Sequence, residues 1–213
     1  MKKSKIAVIG GTGKAGKYLV KELLGQDFRV KLLIRNPEKA SIQNPLAEII
    51  MGNANNYEDV KSLLADCDAV ISTLGLGLPN SEKNIFSTTT TNVLKAMEDF
   101  KIERYIVITG LNVDTPFDKK SQKTQMGTDW MKMNFPETTS DKQKEFELLE
   151  VSQAKWTLVR LPLIEQTDER NEIDVNLADC RGDKISATDL ALFLIDQLPA
   201  ENYIRKSPFI SNL

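Results

Sequence analysis

Three glycines spaced three residues apart, Gly10, Gly13 and Gly16, follow a short apolar run over residues 6–9. Beyond them, Leu and Val side chains in residues 17–24 recur on one face of a predicted helix. Glycines between a strand and a helix permit a tight turn, the approach of a phosphate to the main chain, and close helix packing. Amide groups at the helix start attract an anion. The residues predicted to bind the phosphates of a dinucleotide are Gly10, Gly11, Thr12, Gly13, Lys14, Ala15 and Gly16.

The rest of the chain continues the alternation of strands and helices. Predicted strands cover residues 29–34, 47–51, 68–75, 104–110 and 156–162. This alternation is typical of an α/β, doubly wound Rossmann fold with a mostly parallel central sheet. The 213 residues suffice for one well-packed core. We predict one domain, residues 1–213, with a dinucleotide-binding core over 1–162 and a small substrate-side C-terminal extension over 163–213.

Charge and apolar run length exclude several classes of protein. Lys and Arg number 28, and Asp and Glu number 30, so the net charge is −2 and the sequence pI is about 5.4. This balance argues against binding of nucleic acid or of a membrane surface. The apolar run at residues 6–9 is too short for a signal peptide or a transmembrane helix. We therefore expect a cytoplasmic protein that acts on a small molecule, as a monomer or homodimer.

Histidine is absent from the sequence, which removes the commonest general base and the commonest metal ligand. The two cysteines, Cys67 and Cys180, lie far apart without the spacing of a metal site. We predict reduced thiols and no metal site, with Cys67 packed in the core. Any chemistry must therefore use other groups.

The residues after the second, third and fourth strands predict how a dinucleotide is held. An Arg after the second strand accommodates the 2′-phosphate of NADP, whereas an acid there favours NAD. Arg35 occupies this position, so we predict NADP (NADPH) as the cofactor, and we interpret the nearby Lys39 as a solvated surface residue. Residues predicted to flank the adenosine are Asn53, Ala54, Thr73, Leu74 and Gly75. Ordinary turn chemistry explains each of these equally well when it is taken alone.

The fifth strand and the segments that follow it are predicted to form the substrate side. Thr109 ends that strand, at the edge where open parallel sheets bind ligands. Residues 112–134 lack a clear period and predict a long excursion or lid. Its apolar side chains either line a pocket or, as we prefer, pack the excursion onto the body: Met126, Trp130, Met131, Met133 and Phe135. A helix capped within residues 138–141 is predicted to run to about residue 152, with Phe146, Leu149 and Val151 inward.

The sequence resembles the atypical short-chain dehydrogenase/reductases, in particular the NAD(P)-binding group that includes biliverdin reductase B (flavin reductase) and the NmrA-like proteins. The resemblance covers nearly the whole chain and is most specific at residues 10–16, 156–160 and 182–191. It implies hydride transfer with little help from side chains. The catalytic Tyr-x-x-x-Lys of typical members is missing, because no tyrosine lies between Thr109 and Trp156. Thr109 matches a serine position of the group, and Lys142 or Lys144 is a candidate to reach the nicotinamide ribose, although an exposed helix lysine explains both.

Two functions follow from this resemblance and a third from the glycine spacing. The leading interpretation is an NADPH-dependent oxidoreductase that transfers hydride to a flat, electron-poor acceptor such as a flavin, quinone or tetrapyrrole. The alternative is a non-catalytic, NADP-binding regulator of the NmrA-like kind. Nucleotide hydrolysis is disfavoured, because Tyr18 stands where a phosphate-binding loop needs a Ser or Thr hydroxyl for magnesium.

Overall fold

The computed structural model describes residues 4–39, 42–75 and 82–213. The strands of its main sheet are β1 (Lys5–Ile9), β2 (Arg29–Ile34), β3 (Ala47–Met51), β4 (Ala69–Ser72), β5 (Arg104–Gly110), β6 (Lys155–Leu161), β8 (Ile173–Asn176) and β10 (Phe209–Asn212). A second, small sheet pairs β7 (Leu163–Glu165) with β9 (Lys184–Ser186). The helices are α1 (Gly16–Gly25), α2 (Tyr57–Leu64), α3 (Ile85–Phe100), α4 (Gln122–Asn134), α5 (Pro136–Val151) and α6 (Ala187–Asp196).

The main sheet has the strand order β3-β2-β1-β4-β5-β6-β10-β8 within the described residues. The pairs from β3 to β10 are parallel, and the pair of β10 with β8 is antiparallel. The order reverses at β1, so the carboxyl ends of β1 and β4 flank the crevice in which doubly wound sheets bind ligands. The predicted fold class is therefore confirmed. Residues 209–212 extend this sheet, and the boundary at residue 162 stays a prediction.

Alternating side chains of the strands supply two apolar cores, one on each face of the sheet. Ile6 and Val8 of β1 pack with α1 and α6, whereas Ala7 and Ile9 pack with α2, α3 and α5. Both cores lie between buried strands and the apolar faces of helices, as expected for parallel sheets. Cys67 is buried in the second core, as predicted from the sequence.

Three details of α4 and α5 differ from the sequence prediction. Helix α5 begins at Pro136, so the predicted cap within residues 138–141 is wrong. The excursion contains a regular helix, α4, which Ser121 caps by accepting a hydrogen bond from the amide of Thr124. The prediction that Val151 points inward is wrong, since its side chain is 78% exposed. Leu149 is buried, and residues two apart on a helix lie on opposite faces, so Val151 must face solvent.

The guanidinium of Arg160 joins β6 to three segments beyond the carboxyl end of the sheet. It is fully buried, and it donates hydrogen bonds to Asp118 Oδ1 at 2.6 Å and to the carbonyls of Val113, Leu177 and Ser207. The Phe209 ring centre lies 3.5 Å from the guanidinium carbon. A buried charge is tolerated only when it is paired and hydrogen-bonded, so Asp118 is a structural requirement.

We predict that Asp118→Asn lowers the free energy of unfolding by about 3 kcal/mol, because it leaves the buried Arg160 charge without its counter-charge. Urea unfolding measures this loss. Asp168→Asn is the matched control, because the ion pair of Asp168 with Lys21 is exposed and its removal should leave the midpoint almost unchanged. Equal midpoints for Asp118→Asn and the unaltered protein would contradict the structural role of the pair.

Candidate functional site

The glycine turn after β1 is in direct contact with the main chain that follows β4. Gly10 has a φ of +77°, and a side chain there would place a Cβ atom 2.8 Å from the carbonyl carbon and oxygen of Thr73. The amide of Gly13 donates to the Gly10 carbonyl at 2.9 Å and closes the turn. Only glycine fits at position 10, since both its backbone conformation and its closeness to Thr73 exclude a side chain.

The start of α1 packs against the same turn. A Cβ atom on Gly16 would lie 2.1 Å from the Gly10 carbonyl oxygen and 2.7 Å from the Gly11 Cα atom. No side chain caps α1 at Ala15, and its first turn contains no acidic residue. Gly13 and Lys14 are exposed beside this end. The amide groups of a helix start that lacks a capping side chain form a ready site for an anion such as a pyrophosphate.

Arg35 directly follows β2, whose carboxyl end lies next to that of β1. The residue is exposed, and it forms no hydrogen bond or ion pair with any part of the chain that the structure describes. Its guanidinium is therefore available to a phosphate near the glycine turn. The side chain of Lys39 lies outside the described residues.

The residues predicted to flank an adenosine present mostly main chain. The Thr73 hydroxyl donates to the Ile9 carbonyl at 3.1 Å, and the side-chain amide of Asn53 donates to Glu82 at 3.1 Å. Ala54 is buried, and its carbonyl accepts a hydrogen bond from Asn92. Leu74 is half-buried and Gly75 is exposed, so this side of the crevice offers backbone groups rather than free side chains.

The carboxyl end of β5 carries two buried polar side chains with unsatisfied atoms. Thr109 is 2% exposed, and its hydroxyl has no hydrogen-bond partner within the described chain. Asn112 donates from Nδ2 to Thr139 at 3.1 Å, while its Oδ1 has no partner there. A Cβ atom on Gly110 would lie 2.2 Å from this Oδ1, so the amide folds over the end of the strand. Sequence reasoning missed Asn112, because a lone Asn after a strand is typical of any turn.

Lys142 and Glu145 of α5 are both buried, at the interface with α3. The expectation that Lys142 is an exposed helix lysine is therefore wrong, whereas Lys144 is exposed. Burial lowers the pKa of Lys142 and raises the pKa of Glu145 to about 7, with the neighbouring Lys142 opposing the second shift. Sequence analysis missed Glu145, because spacing alone does not show which acidic residue of a helix faces its neighbour.

A cleft of about 460 Å³ lies between the starts of α3 and α5. Its lining residues are Glu82, Lys83, Asn84, Ile85, Phe86, Pro136, Glu137, Thr138, Ser140, Asp141 and Lys144. The Asp141 carboxylate holds the two helices together, because it accepts hydrogen bonds from the amides of Phe86 at 2.8 Å and Ser87 at 3.3 Å. The cleft is therefore bounded by a rigid contact between two helix ends.

Most apolar side chains of the excursion do not pack onto the body, contrary to the preferred prediction, although Met131 is half-buried. Met126, Trp130 and Met133 recur at helical spacing and are all exposed, the last of them by 81%. Thr124 and Thr128 face inward instead, because their hydroxyls donate to the carbonyls of Cys180 and Leu111 at 3.1 Å each. These contacts join the excursion to the loop before β9 and leave an exposed apolar stripe, which also includes Phe135.

Neither metal-binding clusters nor membrane helices occur among the residues that the structure describes. No group of three or more His, Cys, Asp or Glu side chains there is arranged to hold a metal ion. No described helix has the length and apolar character needed to cross a bilayer.

The sequence matches the NAD(P)H-binding family over residues 10–201. Because this match covers most of the chain, the protein belongs to that family, and its cofactor is a nicotinamide dinucleotide. The matched range contains the glycine turn, all of β2–β9 and the substrate-side helices α4 and α5.

Curated relatives match a smaller part of the chain. The isoflavone reductase homolog A622 of Nicotiana sylvestris is 37% identical over 82 residues, and phenylcoumaran benzylic ether reductase 1 of Arabidopsis thaliana is 31% identical over 94 residues. The matches cover 34% and 40% of this chain but 26% and 30% of those proteins. The chain thus matches less than a third of the length of each of these curated relatives.

Solved structures share the fold over almost the whole chain. ChuY, described as an anaerobillin reductase from Escherichia coli O157:H7, superposes with a TM-score of 0.81 at 17% identity, covering 98% of this chain and 97% of its own. A short-chain dehydrogenase/reductase from Veillonella parvula in complex with NADP gives 0.78 at 16% identity, covering 98% and 94%. At this level of identity the two likenesses show the fold alone, which is the fold expected from the resemblance to short-chain dehydrogenase/reductases.

We predict that Gly16→Ala lowers the thermal unfolding midpoint by several degrees, because the new methyl group overlaps the Gly10 carbonyl. Gly25→Ala, at the far end of α1, is the control, since a Cβ atom there has nothing within 4 Å. Alanine is the better helix former, so the control should be as stable as the unaltered protein or slightly more so. Similar midpoints for the two variants would show that the turn is less tightly packed than described.

Proposed function

We propose that this protein is an NADPH-dependent reductase that transfers hydride to a flat, electron-poor acceptor, of the flavin, quinone or tetrapyrrole-like class. The observation that carries the proposal is the glycine turn, where Gly10 and Gly16 leave no room for side chains beside the α1 amide groups that no side chain caps. This geometry fits a dinucleotide pyrophosphate, which approaches the main chain closely. Membership of the NAD(P)H-binding family supports it.

The proposed cofactor contacts follow the crevice between β1 and β4. Residues 10–16 hold the pyrophosphate, and the main chain of Asn53, Ala54, Thr73, Leu74 and Gly75 flanks the adenosine. Arg35 binds the 2′-phosphate, because its exposed guanidinium next to the carboxyl end of β1 is not engaged elsewhere in the described chain. When bound, the cofactor supplies the hydride, and the protein orients it.

On the acceptor side we assign roles to Thr109 and Lys142. The unsatisfied Thr109 hydroxyl lies at the edge where parallel sheets bind ligands, and it fits a hydrogen bond to the nicotinamide carboxamide or to the acceptor. For Lys142 the role is a contact with the nicotinamide ribose; its Nζ atom lies 4.6 Å from the centre of the Phe86 ring. The missing histidine and Tyr-x-x-x-Lys pair limit side-chain catalysis to such groups.

The acceptor class is supported by two further observations. The exposed stripe of Met126, Trp130 and Met133 offers an apolar, partly aromatic surface on which a planar molecule can stack. ChuY, which shares the fold, is described as an anaerobillin reductase, and this description favours the tetrapyrrole-like arm of the proposal.

Oxidation of NADPH by the purified protein, followed at the cofactor's absorbance across a flavin, quinone and bilin panel, tests the reaction. We expect turnover with at least one acceptor class. Tight NADP binding without turnover would instead support a non-catalytic regulator of the NmrA-like kind, which the missing Tyr-x-x-x-Lys pair also fits.

We predict that Arg35→Asp weakens NADPH binding at least about tenfold while NADH binding changes little. The reason is the loss of a charge-assisted contact to the 2′-phosphate, worth roughly 1.5–3 kcal/mol. Titration calorimetry with both cofactors measures the difference. Arg29→Asp is a control for the change of charge, since Arg29 begins β2 at the opposite edge of the sheet. An equal loss for NADPH and NADH would remove Arg35 as the discriminating residue.

A further inference from the structure

The cleft between the starts of α3 and α5 lies at the carboxyl edge of the main sheet. Both helices begin at this edge, because α3 follows β4 and α5 leads back to the amino end of β6. The α3 side is joined to the end of β3 by the hydrogen bond from Asn53 to Glu82, at 3.1 Å. The α5 side is joined to the end of β5 by the hydrogen bond from Asn112 to Thr139, also at 3.1 Å. The cleft therefore lies next to the edge at which we place the cofactor.

The size and lining of the cleft suit part of a small molecule. Its volume of about 460 Å³ lies within the range of small-molecule sites, about 300–1,000 Å³. Ile85, Phe86 and Pro136 supply an apolar lining. Pro136 directly follows Phe135 of the exposed apolar stripe of α4, and the ring centres of Phe135 and Trp130 lie 5.7 Å apart. The stripe, on which we place the planar part of the acceptor, therefore leads to the cleft.

Two of the acidic residues that line the cleft are exposed but already engaged. The Glu82 carboxylate accepts hydrogen bonds from the side-chain amides of Asn53 and Asn55. Glu137 of α5 forms an ion pair with Lys83, which precedes α3, at 3.1 Å. Both partners of this pair are exposed, so the pair contributes little to stability, but it neutralises both charges.

The third acidic residue of the lining, Asp141, is buried and bound to the start of α3. It is 5% exposed, and its oxygens accept hydrogen bonds from the amides of Phe86 and Ser87 and from the Ser87 hydroxyl. The positive end of a helix dipole offsets the charge of a carboxylate at this place. All three carboxylates of the lining therefore have partners within the protein.

Lys144 is the remaining charged residue of the lining. Glu137, Ser140, Asp141 and Lys144 recur at helical spacing, so they share the face of α5 that borders the cleft. The Lys144 side chain is exposed and forms neither a hydrogen bond nor an ion pair with the part of the chain that the structure describes. A lysine ammonium has three donors and no acceptor. The described lining of the cleft therefore offers one cation that is free to bind an anionic group.

We propose that the acceptor carries an anionic group, a carboxylate or a phosphate, and that Lys144 binds this group in the cleft while the planar part lies on the α4 stripe. The inference rests on the proposed reductase function, to which it adds a class of acceptor. Lys144 determines specificity, because it touches the bound acceptor but not the atoms that receive the hydride. Its contact is the same before and during hydride transfer, so it affects KM rather than kcat.

Paired acceptors that differ only in the anionic group test this inference. The pairs are anthraquinone carboxylate with its methyl ester and FMN with riboflavin, and steady-state kinetics with NADPH measure KM and kcat for each. We expect Lys144→Gln to raise KM for the charged member of at least one pair by about two- to fivefold, the effect of losing one exposed ion pair. Lys144→Glu should raise it further by repulsion. Neither kcat nor the KM of the neutral members should change.

Lys101→Gln is the matched control, because Lys101 is an exposed lysine at the opposite end of α3, away from the cleft. This change should leave every KM unaltered. An equal rise in KM for charged and neutral acceptors in Lys144→Gln, or no rise for either charged acceptor, would overturn the role of Lys144 and leave the reductase function intact.

Binding of naphthoate to the protein without NADPH separates the anion site from the reaction. Titration calorimetry with naphthoate, and with naphthamide as its neutral analogue, needs no turnover. We expect naphthoate to bind more tightly than naphthamide, and Lys144→Gln to remove the difference. This result in a protein that oxidises no NADPH would contradict the reductase function and keep the anion site. Equal affinities for the two molecules in the unaltered protein would contradict the site itself.

Discussion

The buried cation of Arg160 is the interaction on which the carboxyl edge of the sheet depends. Its hydrogen bonds reach the loop after β5, the loop after β8 and the residues before β10; the last two segments flank the antiparallel pair of β8 with β10. Asp118 supplies the counter-charge. Because four hydrogen bonds of the guanidinium are made within the protein, the desolvation of the charge is offset, and loops from distant parts of the sequence are fixed together.

The carboxyl edge of the sheet also depends on a close contact between two backbone segments, the glycine turn after β1 and the segment after β4. Gly10 lies against the Thr73–Leu74 main chain, so the turn after β1 and the exit from β4 form one continuous backbone surface. The side chains of Thr73 and Asn53 are already engaged within the protein. The proposed cofactor site therefore consists mainly of main-chain amide groups. For this reason we assign its proposed specificity for the 2′-phosphate to a single side chain, that of Arg35.

The sequence was sufficient to predict strands β1–β6 of the main sheet and the glycine turn, because the strands depend on local periodicity and the turn on the absence of side chains. The strands β1–β6 follow patterns of a few residues. Arg160, Asn112 and Glu145 could not be predicted, since their partners come from other elements. Lys142 was expected at the surface because its burial depends on α3. The short strands β7–β10 depend on pairing between segments that are distant in the sequence, and hydrophobic periodicity does not indicate such pairing.

A chain without histidine must obtain near-neutral acids and bases from burial rather than from residue type. Burial raises the pKa of both Cys67 and Cys180 to about 11, so neither thiol ionises near neutral pH. Asp141 is committed to the α3 amide groups. Burial acts in the opposite direction on Glu145 and Lys142, because one is an acid and the other a base, and it brings their proton affinities towards each other. The packing of α3 on α5 thereby supplies what the composition lacks, a side chain whose pKa is close to neutral.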